Sequence, residues 1–153
     1  MAPASEDIDQ TSAILTAQRG SEPGRREAVE HIIAAHWKPL YKYLRFRHDR
    51  SPEDARALMA KYLEDVLKPG FFLRYDSHAG PLRNFLRKEI DRSAVQWSGK
   101  QSTSFPFPVD YASAEEEYQS EVRFSGLAAD EYYESEWVRN LFALAVGVLQ
   151  STL

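Results

Sequence analysis

The sequence predicts an all-α protein. Apolar residues recur at three- and four-residue steps through most of the chain, no segment alternates with a period of two between turn signals, and no repeat of roughly 20–50 residues occurs. With 153 residues, 43% of them hydrophobic, the chain is long enough for one core and short for two.

The elements follow in order. The polar, acidic opening MAPASEDIDQ and the loop GSEPG at 20–24 predict a flexible stretch over residues 1–24. From Arg25 to about Arg47, Val29, Ile32, Ile33, Trp37, Leu40, Tyr41 and Leu44 mark one buried helical face. Pro39 lies inside this run. A proline lacks the N–H that the helix needs and crowds the preceding turn, which predicts a kink near His36 or two helices meeting there.

The next helix has a clear start. Ser51 is suited to the N-cap, Pro52 to the first helical position, and Asp54 to a first turn where a carboxylate favours the helix dipole. Ala55, Leu58, Met59, Tyr62, Leu63, Val66 and Leu67 give its inner face, and KPG at 68–70 ends it. A third helix is expected to begin near Pro81, with Leu82, Phe85, Leu86, Ile90, Ala94 and Trp97 inward and Arg83, Arg87, Lys88 and Arg92 largely on the other side. Residues 98–112 break every period and contain two prolines, the pattern of a linker or irregular loop.

Helical periodicity then returns, interrupted near FSGLA at 124–128. Residues 130–150 carry Tyr133, Trp137, Leu141, Leu144 and Val148 on one stripe, and LFALAVGVL at 141–149 is apolar nearly all round. Such a segment is either central in the core or packed on something outside the chain. The chain thus divides into an N-terminal stretch (1–24), a central helical domain (25–100), and a linker with C-terminal helices (101–153).

Composition bounds the function. The chain has no cysteine, so disulfides, thiolate metal sites and cysteine nucleophiles are excluded. No leader-like apolar stretch opens it and no apolar run is long enough to span a bilayer, so the expected location is the cytoplasm, with no membrane partner. The net charge of −4 is unevenly spread: −3 over residues 1–35, +6 over 36–100 and −7 over 101–153. A positive block between acidic ones marks either an anion-binding surface or an ordinary solvated helix face.

No catalytic constellation is present. The histidines at 31, 36, 48 and 78 include no pair spaced by four and no HExxH. Glu115, Glu116 and Glu117 are consecutive and point in different directions round a helix, so a solvated face is expected there. Phosphate-loop, GxGxxG and GxSxG motifs are absent, and the residues call for no cofactor, no metal and no enzymatic activity. What remains is a combination of cations and flat rings. Arg83, Arg87, Lys88, Arg92 and Lys100 suit phosphates, and Trp97, Phe105 and Phe107 suit unstacked bases, as single-stranded nucleic acid requires. The same residue types equally make a core stripe and a soluble helix face.

The order of three motifs resembles a known family. HWKPLYKYLRFR, then SPEDARALMAKYLEDVLK, then YDSHAGPLRNFLRKEI are similar to region 2 of bacterial sigma factors of the extracytoplasmic-function group, over about residues 25–97. In that group a W-x-P-L-Y helix, an S-P-E-D-A helix and a D-x-x-x-G-x-x-R-x-F-L segment occur in this order. The later SAEEEYQSE and DEYYESEWVRNLFALAVGVL resemble an A-E-x-x-Y segment and an E-x-x-W helix that follow region 2 in one subgroup.

The resemblance implies a helical bundle that docks on core RNA polymerase and reads and melts the promoter −10 element. It implies polymerase contacts at Asp54, Arg56, Met59, Ala60 and Tyr62, and promoter DNA contacts at Arg83, Arg87, Lys88, Arg92, Trp97 and Lys100. The match is divergent. Arg56, Ala57 and Ala60 stand where the family typically has two acidic residues and a glutamine, and a region 4 reading the −35 element is not matched. The alternative is a degenerate sigma-like module that binds an anti-sigma or other protein through residues 130–153, without promoter activity.

Overall fold

A computed structural model describes residues 4–97, 99, 109–121 and 126–152, with side chains between residues 12 and 147. Among the described residues six helices follow in order: α1 (Ala4–Arg19), α2 (Gly24–Arg47), α3 (Pro52–Leu67), α4 (Leu82–Gln96), α5 (Tyr111–Glu121) and α6 (Ala129–Thr152). Two 3-10 turns, Phe71–Arg74 and Ser77–Ala79, join α3 to α4. No strand occurs among the described residues, and the class is all-α.

Helix α2 is the axis of the bundle and touches every other helix. Its residues from Pro39 to Leu44 are buried without interruption. A helix buried on all sides belongs at the centre. The sequence offered 141–149 as one candidate for that place, but the corresponding stretch of α6 leaves Phe142, Ala143 and Leu144 exposed. Its outer side is uncovered by any described residue of the chain.

Pro39 does not divide α2, which runs unbroken from Gly24 to Arg47. Proline removes the N–H that would bond the carbonyl four residues back, at Ala35. Asn140 of α6 supplies the missing donor, its Nδ2 lying 2.9 Å from that oxygen. A side chain 105 positions away therefore completes the α2 ladder.

The start of α3 forms as expected, with the Ser51 hydroxyl accepting from the Asp54 N–H at 3.1 Å and Pro52 opening the helix. Gly70 (φ 93°) turns the chain after it, and Gly80 (φ 142°) leads into α4 behind Pro81. A Cβ at Gly80 would meet nothing within 4 Å, so its backbone conformation, not space, asks for glycine.

The N-terminal stretch differs from expectation. Residues 4–19 form α1, which packs along α2 with Ala17 buried, and its Gln18 amide donates to the carbonyls of Phe72 and Tyr75 at 3.0 and 3.1 Å. Among its described side chains Ala13, Ile14 and Ala17 turn toward the core, a stripe of small residues too weak to announce a helix. Tertiary contact supplies the stability that local periodicity does not. The expected boundary near residue 100 does not divide the core either: Ala114 of α5 and Tyr133 of α6 join one apolar cluster with residues of α2, α3 and α4.

Four buried tyrosines tie the helices in pairs. Their hydroxyls donate from Tyr41 to Glu115 (2.7 Å), from Tyr43 to Asp91 (2.8 Å), from Tyr62 to the Leu86 carbonyl (2.9 Å) and from Tyr133 to the Arg83 carbonyl (2.8 Å). Each buries a large apolar ring while satisfying its polar end.

Candidate functional site

Helix α4 presents two different faces. Toward α6, Arg83 pairs with both oxygens of Glu134, and its guanidinium carbon lies 4.3 Å from the centre of the Trp137 ring. Arg87 pairs with Asp130 at 3.1 Å and lies 3.7 Å from Asp91 and 5.9 Å from the Tyr43 ring. These two arginines, expected to meet phosphates, are occupied by carboxylates of the chain itself. Sequence spacing put them on an outer face, but α6 covers it.

The other face is open. Lys88 is exposed and makes no ion pair with a described residue, and Arg92 is 63% exposed with one partner, Glu89, at 3.7 Å. Between Lys88 and the α3–α4 connection lies a concavity of about 210 Å³ lined by Arg74, Tyr75, Asn84, Phe85 and Lys88, among others. The Tyr75 and Phe85 rings stand 5.4 Å apart at 52°. The Tyr75 hydroxyl donates to the Gly80 carbonyl at 2.8 Å and Gln18 holds its backbone, so the ring is fixed from two sides. The Asp76 side chain accepts from the His78 N–H at 2.9 Å and closes the turn beneath.

Two rings, an amide and a cation at the rim form a small site for one flat, polar-edged group. Its volume is below the ~300 Å³ at which sites for larger ligands begin. Tyr75, Asn84 and Arg74 were not singled out by sequence reasoning. Their only signal is the position of YDSHAGPLRN between two well-defined helices, since loops on rigid frames carry binding groups.

Trp97 is half-buried at the end of α4, its ring centre 5.5 Å from the guanidinium carbon of Arg50, which also donates to the Ala94 carbonyl at 2.9 Å. It is held by the chain's own cation instead of standing open for a base. Lys100, Phe105 and Phe107 lie outside the described residues.

The expected polymerase face is also redistributed. Met59 (0% exposed) and Tyr62 (1%) are core residues, and Ala60 is buried. The resemblance implied polymerase contacts at these three positions, whereas the helical period had already put Met59 and Tyr62 on the inner face, and the packing follows the period. Asp54 is half-buried and Arg56 exposed, and together with Glu53 they leave the first turns of α3 as the accessible part.

A second polar cluster joins α2, α5 and α6. The Lys42 ammonium, 2% exposed, meets Glu136 at 2.6 Å, Glu117 at 2.8 Å and Glu121 at 3.1 Å. Lys38 pairs with Glu117, and Arg139 with Glu121 and Glu136, giving three cations to three carboxylates. Burial and the neighbouring Glu121 push the Glu136 carboxyl up, against the pull of Lys42. Glu115 binds Arg45 through two bonds of 2.8 Å. Burial pushes that carboxyl up, but hydrogen bonds from Arg45, Gln119 and Tyr41 outweigh it and hold it down at about 2. Glu115 and Glu117 are thus structural ligands, and of the three consecutive glutamates only Glu116 is an exposed residue. His36 is kept neutral by burial, which lowers it to about 4, with Nδ1 2.8 Å from the Ile32 carbonyl.

Among the described residues no group of three or more histidines and carboxylates is placed to hold a metal ion, and no helix is long and apolar enough to cross a membrane. Comparison of the chain with protein-family models, with curated proteins and with solved structures finds no match.

Proposed function

We propose that the chain is a sigma-factor-like protein that engages core RNA polymerase and holds an opened base of promoter −10 DNA. The observation that carries this reading is the concavity at the start of α4. It combines the Tyr75 and Phe85 rings with Asn84 and Lys88 beside the exposed Arg92, the pairing of stacking surface and cation that an unpaired strand needs. The order of motifs supports it, since α2, α3 and α4 carry them in sequence and share one core. Lys88 and Arg92 take the phosphate role, Tyr75, Phe85 and Asn84 the base, and Glu53, Asp54 and Arg56 the polymerase.

Two measurements on the full chain test this. Co-elution with core RNA polymerase from its own host is expected at moderate salt and is expected to be lost in Glu53→Lys/Asp54→Lys, where attraction becomes repulsion. A single strand carrying 2-aminopurine is expected to change its fluorescence on binding, and Asn84→Ala to weaken that signal. No co-elution together with no fluorescence change removes the proposal.

One observation favours a second reading, a protein-interaction module on the same fold. Val138 (57% exposed) and Phe142 (71%) lie one turn apart on the outer side of α6. In that case Phe142→Glu abolishes capture of a host protein other than polymerase.

A further inference from the structure

We propose that the cleft between the end of α3 and the outer face of α4 receives the phosphodiester backbone of the strand whose base enters the Tyr75–Phe85 concavity. The assignment rests on the single-strand reading above and adds a second subsite to it. The cleft has a volume of about 390 Å³ and is lined by Lys68, Arg74, Glu89, Arg92, Ser93 and Gln96, among others. Arg74 lines both hollows, so the two adjoin and a strand leaving one enters the other.

The polar groups in the cleft are arranged for a monoanion. Glu89 stands between two guanidiniums, one oxygen 2.8 Å from Arg74 and the other 3.7 Å from Arg92. A guanidinium has five N–H donors, so each arginine keeps most of its donors for a ligand. Arg74 is further steadied by the Phe71 ring, 5.0 Å from its guanidinium carbon. Lys68 bonds Asp65 at 3.0 Å and retains two ammonium protons. Three cations therefore face two carboxylates, an excess of one positive charge in the cleft lining. One phosphodiester carries one negative charge and balances it. A dianionic free phosphate would overshoot and meet Glu89 and Asp65. Arg83 and Arg87, on the covered side, are each already matched by a carboxylate of α6 and have no such excess.

The test is fluorescence anisotropy of the full chain with two labelled single strands, one of mixed sequence and one wholly abasic, over a salt series. Lys68 and Arg92 are 60% and 63% exposed, so Lys68→Gln/Arg92→Gln leaves the core untouched. This variant is expected to weaken both strands and to lower the slope of log affinity against log salt by about 1.4, at about 0.7 per lost contact. Arg92→Gln alone is expected to give half of that. Asn84→Ala is expected to erase the preference for the mixed-sequence strand and to leave the slope unchanged. An unchanged slope in the double variant overturns the cleft assignment, while the Asn84→Ala effect would still uphold the base site. Equal binding of both strands to the unaltered chain, with the slope effect intact, overturns the base site and keeps the cleft. Displacement of the strand by millimolar inorganic phosphate overturns the preference for a diester.

Discussion

At the scale of single residues, the most informative pair is Pro39 and Asn140. Proline in a helix interior ordinarily breaks it, because one carbonyl loses its donor. Here Ala35 recovers a donor from Asn140, and α2 continues. Asn140→Ala is expected to destabilise the fold by about 1–3 kcal/mol, the cost of an unpaired carbonyl. Pro39→Ala restores the backbone N–H, so the same Asn140→Ala change should cost clearly less in that background. Urea unfolding of the four members of this cycle measures the difference. Equal costs in both backgrounds would show that the amide does not replace the missing N–H.

At the scale of elements, α5 is held to α2 by charge more than by apolar area, since only Ala114 and Tyr118 of the helix are buried. Its carboxylates face Lys38, Lys42 and Arg45 of α2. The Glu115 carboxyl is depressed from 4.5 to about 2, so its ionised form is favoured by folding. A depressed carboxyl contributes stability above its unfolded value and loses it as the pH falls toward the folded one. Stability owed to Glu115 is therefore expected to be complete above pH 4.5 and to vanish toward pH 2. Glu115→Gln should flatten this part of the pH–stability curve and lower the plateau at neutral pH. Thermal unfolding of both proteins across the range checks it. Parallel curves would assign the acid sensitivity to other carboxylates.

At the scale of the whole molecule, the uneven charge of the sequence is largely cancelled inside the fold. The acidic last third lies against the basic middle, with Asp130 and Glu134 on α4 and Glu115 and Glu117 on α2. On α4 and the α3–α4 connection, the cations left open to an anion are the smaller set of Lys68, Arg74, Lys88 and Arg92. Asp130→Asn/Glu134→Gln frees Arg83 and Arg87, and is expected to tighten single-strand binding and steepen its salt slope by up to about 1.4. Anisotropy over a salt series reads this directly. An unaltered slope would mean that α6 blocks access to these arginines even after its charges are removed.

Much of the fold was legible in the residues, and much of the site was not. The caps and prolines at Ser51, Pro52 and Pro81, the stripes of α2, α3 and α4, and the gap between α5 and α6 follow from short-range physics and were readable. The helix over residues 4–19 was not, because its stability comes from packing on α2 and from Gln18 reaching the α3–α4 connection. The sequence by itself determined an all-α chain with a cationic helix after Pro81, counted as its third, and an acidic last third. Only the tertiary structure decided which cations remain open. Periodicity gives the direction of a side chain relative to its own helix, whereas covering Arg83 and Arg87 depends on where a helix some fifty residues later comes to rest. The same long-range packing buried Met59 and Tyr62, and it brought Tyr75, Asn84 and Lys88 around one hollow.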